Sequence, residues 1–150
     1  MGILTFKGGI HPNDGKSLAK DQPIQELLPV GDLVYPLSQH IGAPAAPVVK
    51  KGDSVLKGQK IADAGGFVSA PIYASVSGTV KAIEKRLTPT GSSIDSIVIE
   101  NDGEYKEVEY APVKPLNELT GDEIRTLIAD AGIVGMGGAG FPTRVKLSPK

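Results

Sequence analysis

Between residues 47 and 84 apolar residues come in pairs and short alternations, each closed by a turn residue. Val48-Val49 is followed by Gly52-Asp53, Val55-Leu56 by Gly58-Gln59, and Ile61-Ala62 by Gly65-Gly66; Phe67-Val68 then leads to Gly78 and Thr79-Val80-Lys81-Ala82-Ile83. Pieces this short at such even spacing predict strands of a small barrel or sandwich. Residues 94–100 alternate as a half-buried strand, Asn101-Asp102-Gly103 carries turn chemistry, and residues 105–109 alternate again, which predicts a hairpin of those two segments.

Before residue 46 this periodicity is absent. Gly8-Gly9, Pro12, Gly15, Pro23, Pro29, Gly31, Pro36, Gly42 and Pro44 interrupt any helix longer than two turns, so residues 1–45 are expected to form an extended arm with one short helix at 23–28. Residues 46–110 are the β module and 111–119 a proline-bearing connector. Helical spacing appears only afterwards. Thr120-Gly-Asp-Glu123 has the form of a capping box, Ile124, Leu127, Ile128 and Ala131 share a face, and Gly132 is placed to end the helix. The fold class expected is mainly β with one helix (α+β), with residues 120–150 as the start of a second, incomplete domain. The last residues, Ser148-Pro149-Lys150, close no element, so the expectation is a chain cut short.

Composition narrows the chemistry. Nineteen glycines and twelve prolines in 150 residues favour turns over long helices. The absence of cysteine excludes disulfides, thiolate-bound zinc, iron–sulfur ligation and thiol nucleophiles from these residues, so any redox chemistry must come from a ligand. Sixteen basic residues against seventeen acidic ones, with no block of like charge, give no footprint for nucleic acid. No segment approaches 18 consecutive apolar residues and no signal pattern opens the chain, which predicts a cytoplasmic domain able to dock peripherally on a membrane complex.

Residues 49–61 read V-x-x-G-D-x-V-x-x-G-Q-x-I and residues 74–80 read A-x-x-S-G-T-V. Together they resemble the barrel-sandwich hybrid fold of biotinyl and lipoyl carrier domains. A carrier needs a lysine at the tip between those halves, because the swinging cofactor is an amide on that amine. There is none between Lys60 and Lys81; the tip reads Ala-Gly-Gly-Phe-Val-Ser-Ala-Pro-Ile-Tyr over residues 64–73. The module is therefore expected to dock or to support. His11 and His40 are candidates for phosphoryl or proton transfer, or for structural roles with their ring nitrogens held by the backbone. Glu104, Glu107 and Glu109 sit at surface-like positions and do not suggest a catalytic carboxylate pair.

The sharpest signal lies in residues 132–147. Gly135, Gly137 and Gly140 fit G-x-G-x-x-G, but that motif should follow a strand and here it follows a helix. More telling, four glycines in six positions leave backbone N–H groups able to curl around an anion, and Lys146 can add a point charge to it. A nucleotide or flavin phosphate fits such a loop; a plain linker fits the glycine content equally well.

Phe6 to Pro12, Pro36 to Pro44, Val49 to Gln59, Gly66 to Pro71 and Gly132 to Leu147, in that order, resemble the N-terminal part of RnfC proteins, a family of subunits of the Rnf electron-transport complex. The last segment is also similar to the FMN loop of the NADH-binding flavoprotein subunit of respiratory complex I. The resemblance implies a peripheral subunit on the cytoplasmic face of the membrane, partnered by other subunits of its complex. It further implies electron exchange between NAD(H) and ferredoxin through FMN and 4Fe-4S clusters, coupled to ion movement. Carried over by position, Gly135, Gly137, Gly138 and Gly140 form the flavin-phosphate loop opening an α/β flavin domain, with Lys146 as its cationic partner. Met136 stands where the complex I loop has an arginine, and Arg144 is near in sequence. The cluster cysteines would lie past Lys150, so these 150 residues alone are expected to bind neither flavin nor iron and to carry no catalytic or metal residue. The alternative is a non-redox barrel-sandwich adaptor in which the glycine loop only links.

Overall fold

The computed structural model describes Gly8 and residues 12–149. His11 and the rest of the first family-like segment up to it, Gly8 apart, lie outside the described residues. The main sheet is antiparallel and four-stranded, in the order β1 (Asp32–Pro36), β7 (Ser93–Asn101), β6 (Gly78–Leu87), β3 (Ser54–Val55). A second sheet runs β2 (Ala46–Pro47), β4 (Lys60–Asp63), β5 (Ile72–Tyr73), also antiparallel. Val55, Ile61, Val76, Val80, Ile97 and Ile99 are almost wholly removed from water between them, with Tyr35, Leu37 and Ile72 closing the cluster. Apolar residues from both sheets thus share one core, as the short strands with turn residues between them demand. The result is a mostly β structure with a curled main sheet, consistent with a barrel-sandwich hybrid.

Two expectations about pairing are corrected. The partner of β7 is not residues 105–109 but β6, with a register shift between Val80 and Ala82, while β1 takes its other edge from Asp32↔Glu100 to Pro36↔Ser96. With both edges of β7 filled, no ladder is left for a returning strand. The chain is also turned aside by its own side chains. Asn101 Oδ1 accepts from Gly103 N–H at 2.9 Å and Asp102 Oδ1 from Glu104 N–H at 2.8 Å, and Tyr105 follows with φ of +51°. The Glu104 amide and then the Ser77 hydroxyl hold the Asp102 carboxyl below the usual carboxylate range. Residues 105–109 keep one parallel bridge, Glu107 to Lys57. The helix expected at 23–28 is likewise not formed: Ile24 and Leu27 are exposed on non-helical chain. Two turns with no apolar surface to pack on cannot repay helix nucleation in water.

Helix α1 (Gly121–Asp130) has the capping box expected of it. Glu123 N–H donates to Thr120 Oγ1 at 3.2 Å and Thr120 N–H donates to Glu123 Oε2 at 2.8 Å. At its end Gly132 N–H reaches Ala129 O and Ile133 N–H reaches Ile128 O, closing the last turn. A second helix, α2 (Thr143–Lys146), is too short to show a period in the sequence, so the single helix expected becomes two.

Lys114 Nζ lies 2.7 Å from Glu123 Oε1. That ammonium, then the Thr120 amide and hydroxyl, hold the Glu123 carboxyl below its ordinary range. Thr120→Ala should cost about 1 kcal/mol at neutral pH, read as a lower urea midpoint. A carboxyl depressed in the folded state stabilises the fold above its unfolded pKa and stops doing so as pH falls through the folded value. The midpoint gap between wild type and Glu123→Gln should therefore close on acidification through and below the carboxylate range; a gap indifferent to pH would show that the ionised cap contributes nothing.

Candidate functional site

The tip between β4 and β5 is pinned beneath residues 40–44. Ala43 N–H donates to Val68 O at 2.9 Å, Ser69 Oγ donates to Ala43 O at 2.8 Å and Gly65 N–H donates to Ser69 Oγ at 2.9 Å. Gly42 allows this approach: its φ is +99°, and a Cβ there would stand 2.1 Å from the Val68 oxygen. The tip of a carrier domain is a free hairpin bearing lysine; this one has no lysine and is tied down.

His40, 7% exposed, sits in the same seam. Its Nδ1 lies 3.2 Å from Ile41 O and its Nε2 takes the Ala70 N–H at 3.0 Å, an arrangement that the Nδ1–H tautomer satisfies at both nitrogens. Neither nitrogen is left to attack phosphorus. Of the two roles considered for His40, the geometry carries the structural one.

Beyond α1, Val134 and Pro142 form an antiparallel bridge and Gly135 N–H donates to Phe141 O at 3.0 Å, closing residues 136–140 into a loop. Among the described residues no backbone bond uses the amides of Gly137, Gly138, Ala139 or Gly140. Gly137 and Gly138 have open space where a Cβ would project. The Lys146 ammonium lies 5.8 Å from the centroid of the Phe141 ring and 3.5 Å from the Cβ position of Gly135, so α2 brings this cation to the base of the loop. Free amides beside an ammonium suit an anion with several acceptor oxygens, a phosphate above all. Met136 projects into solvent. Arg144 does not take its place in the loop, because its guanidinium covers the Phe67 ring at 5.9 Å.

The opposite side of the loop rests on the β module. Ile41 N–H donates to Ala139 O at 3.0 Å, and Gly140, at φ +65°, lies so close that a Cβ would come within 2.9 Å of Gln39 O and 3.0 Å of His40 Cα. Tyr73 OH donates to Asp130 O at the end of α1. Sequence patterning gives the glycines and Lys146; it does not give the contacts of residues 39–41 and Phe67 with the loop and α2, although Gly42 two residues from His40 is a trace of a close approach. The largest groove, about 960 Å³, lies elsewhere, between residues 108–114 and α1, lined by Tyr110, Val113 and Leu127 and by none of the loop glycines. Among the described residues no cluster of three or more His, Asp or Glu could hold a metal ion, and no helix is long and apolar enough to cross a membrane.

The family model of the RnfC barrel sandwich hybrid domain matches residues 4–104. The chain is 50% identical over 149 residues to the RnfC-type subunit of the proton-translocating ferredoxin:NAD(+) oxidoreductase complex of Clostridium ljungdahlii, covering 98% of this chain and 32% of the relative. It is 45% identical over 145 residues to the Na(+)-translocating counterpart of Acetobacterium woodii (96% and 33%). The corresponding subunit of the ion-translocating oxidoreductase complex of Rhodobacter capsulatus is 46% identical over 149 residues (97% and 28%). The chain spans roughly a third of the length of these relatives.

Proposed function

From the premise that the chain belongs to the RnfC family and forms an N-terminal part of such a protein, we propose that residues 135–140 are the phosphate loop of an FMN site in the full-length protein. The observation that carries this reading is the set of open amides from Gly137 to Gly140 with Lys146 at the base of their loop. Gly135, Gly137, Gly138 and Gly140 let the backbone approach the phosphate, the amides donate to its oxygens, and Lys146 offsets its charge. FMN, when bound, supplies the hydride-accepting ring. The β module holds the loop's far side through Ile41 and Gly140, and the loop opens the α/β flavin domain. The full-length protein would then exchange electrons between NAD(H) and ferredoxin through FMN and 4Fe-4S clusters, peripherally on the cytoplasmic face of the membrane beside the other subunits of its complex. With no cysteine in these residues, the cluster ligands belong to other parts of that protein.

Lys146 gives a graded test. In the full-length protein Lys146→Ala should weaken FMN binding about fivefold at low salt, the worth of one partly solvated ammonium–phosphate contact, and less at high salt. Fluorescence titration at two ionic strengths reads both. Equal affinity in the variant would remove Lys146 from the site.

A further inference from the structure

We propose that His40 is a positioning residue that fixes the glycine loop for phosphate binding from inside the β module. This rests on the reading of residues 135–140 as the phosphate loop. At its base the loop is held by the Val134–Pro142 bridge and the Gly135–Phe141 bond. Its crown touches residues 39–41: the Ala139 carbonyl takes the Ile41 N–H, and Gly140 rests on Gln39 O and His40 Cα.

What makes residues 39–41 a firm support is the buried imidazole. Its two nitrogens span from Ile41 O to the amide of Ala70, thirty residues along the chain, with Ser69 Oγ 3.5 Å from Nε2. Losing the ring would leave the Ala70 amide buried without its acceptor and free residues 39–41 to shift. The bond from Ile41 to Ala139 would shift with them. The crown amides must converge on one anion, so a loosened crown lowers affinity by adding ordering cost to binding.

The test uses full-length protein and FMN itself. His40→Ala should weaken FMN binding about tenfold and speed hydrogen exchange at residues 137–141 before any flavin is added. His40→Gln, whose side-chain oxygen can accept from Ala70 N–H, should restore most of both. A folded His40→Ala protein with wild-type affinity and wild-type exchange at 137–141 would overturn the proposal. If His40→Ala does not fold, His40→Gln is compared with His40→Asn, whose shorter side chain does not reach Ala70: tighter FMN binding by the Gln variant supports the clamp, and equal binding overturns it. Gly138→Val separates the two levels. If it lowers affinity while His40→Ala does not, only the clamp fails; if Gly138→Val leaves binding intact, the loop itself is not the phosphate site and the clamp falls with it.

Discussion

Gly42→Ala should lower the stability of the β module by about 4 kcal/mol and its melting temperature by roughly 10 °C. Three effects add. A non-glycine residue held at φ of +99° carries strain of about 1–3 kcal/mol. The new Cβ would stand 2.1 Å from Val68 O and 2.8 Å from Val68 Cγ1, and relieving that overlap in an interior-like contact costs about 1–3 kcal/mol. Relief means moving the Val68 carbonyl, which accepts from Ala43 N–H, so about 1 kcal/mol of hydrogen bonding is lost as well. Thermal and urea unfolding of the variant measure the sum. A loss under about 1 kcal/mol would mean that residues 40–44 do not press on the tip.

The same contact shows what a sequence can and cannot convey. The capping box at Thr120 and Glu123 is local, since its four atoms belong to one turn, and it forms as the spacing predicts. The short strands of residues 54–83 are legible for a similar reason, because turn residues bracket each one. Strand β1 is not. Its pairing with β7 joins Asp32 to Glu100, and nothing in the glycine- and proline-broken arm announces a partner that far along the chain. The alternation of residues 105–109 misled in the opposite sense: period two predicts a strand, but β7 had no free edge and the Asx bonds of Asn101 and Asp102 sent the chain elsewhere.

For the candidate site, the glycine string and Lys146 stand out in sequence because glycine density and a nearby cation are local properties. That Lys146 reaches the loop depends on the turn of α2, which four residues do not advertise. The roles of Phe67 beneath Arg144 and of His40 beside Ala70 require the fold, since each joins segments distant in the chain. FMN, clusters and ferredoxin come from family resemblance and from no pattern of charge or period.

Gly138→Val should reduce FMN affinity of the full-length protein about a hundredfold or more while leaving its melting behaviour within about 0.5 kcal/mol of wild type. No atom lies within 4 Å of the Cβ position at Gly138, and its φ is outside the left-handed region, so valine meets nothing in the protein itself. Its branched side chain instead occupies the space an anion needs to reach the crown amides. Losing one or two charge-assisted bonds of about 1.5–3 kcal/mol each gives that factor. The direct measurement is a fluorescence-quenching titration of full-length wild-type and Gly138→Val protein with FMN, beside thermal unfolding of both. Stoichiometric binding by wild type and collapse of affinity in an equally stable variant is the result predicted. A Gly138→Val protein that binds FMN as tightly as wild type would contradict the assignment of the phosphate site, and the glycine loop would then be a linker.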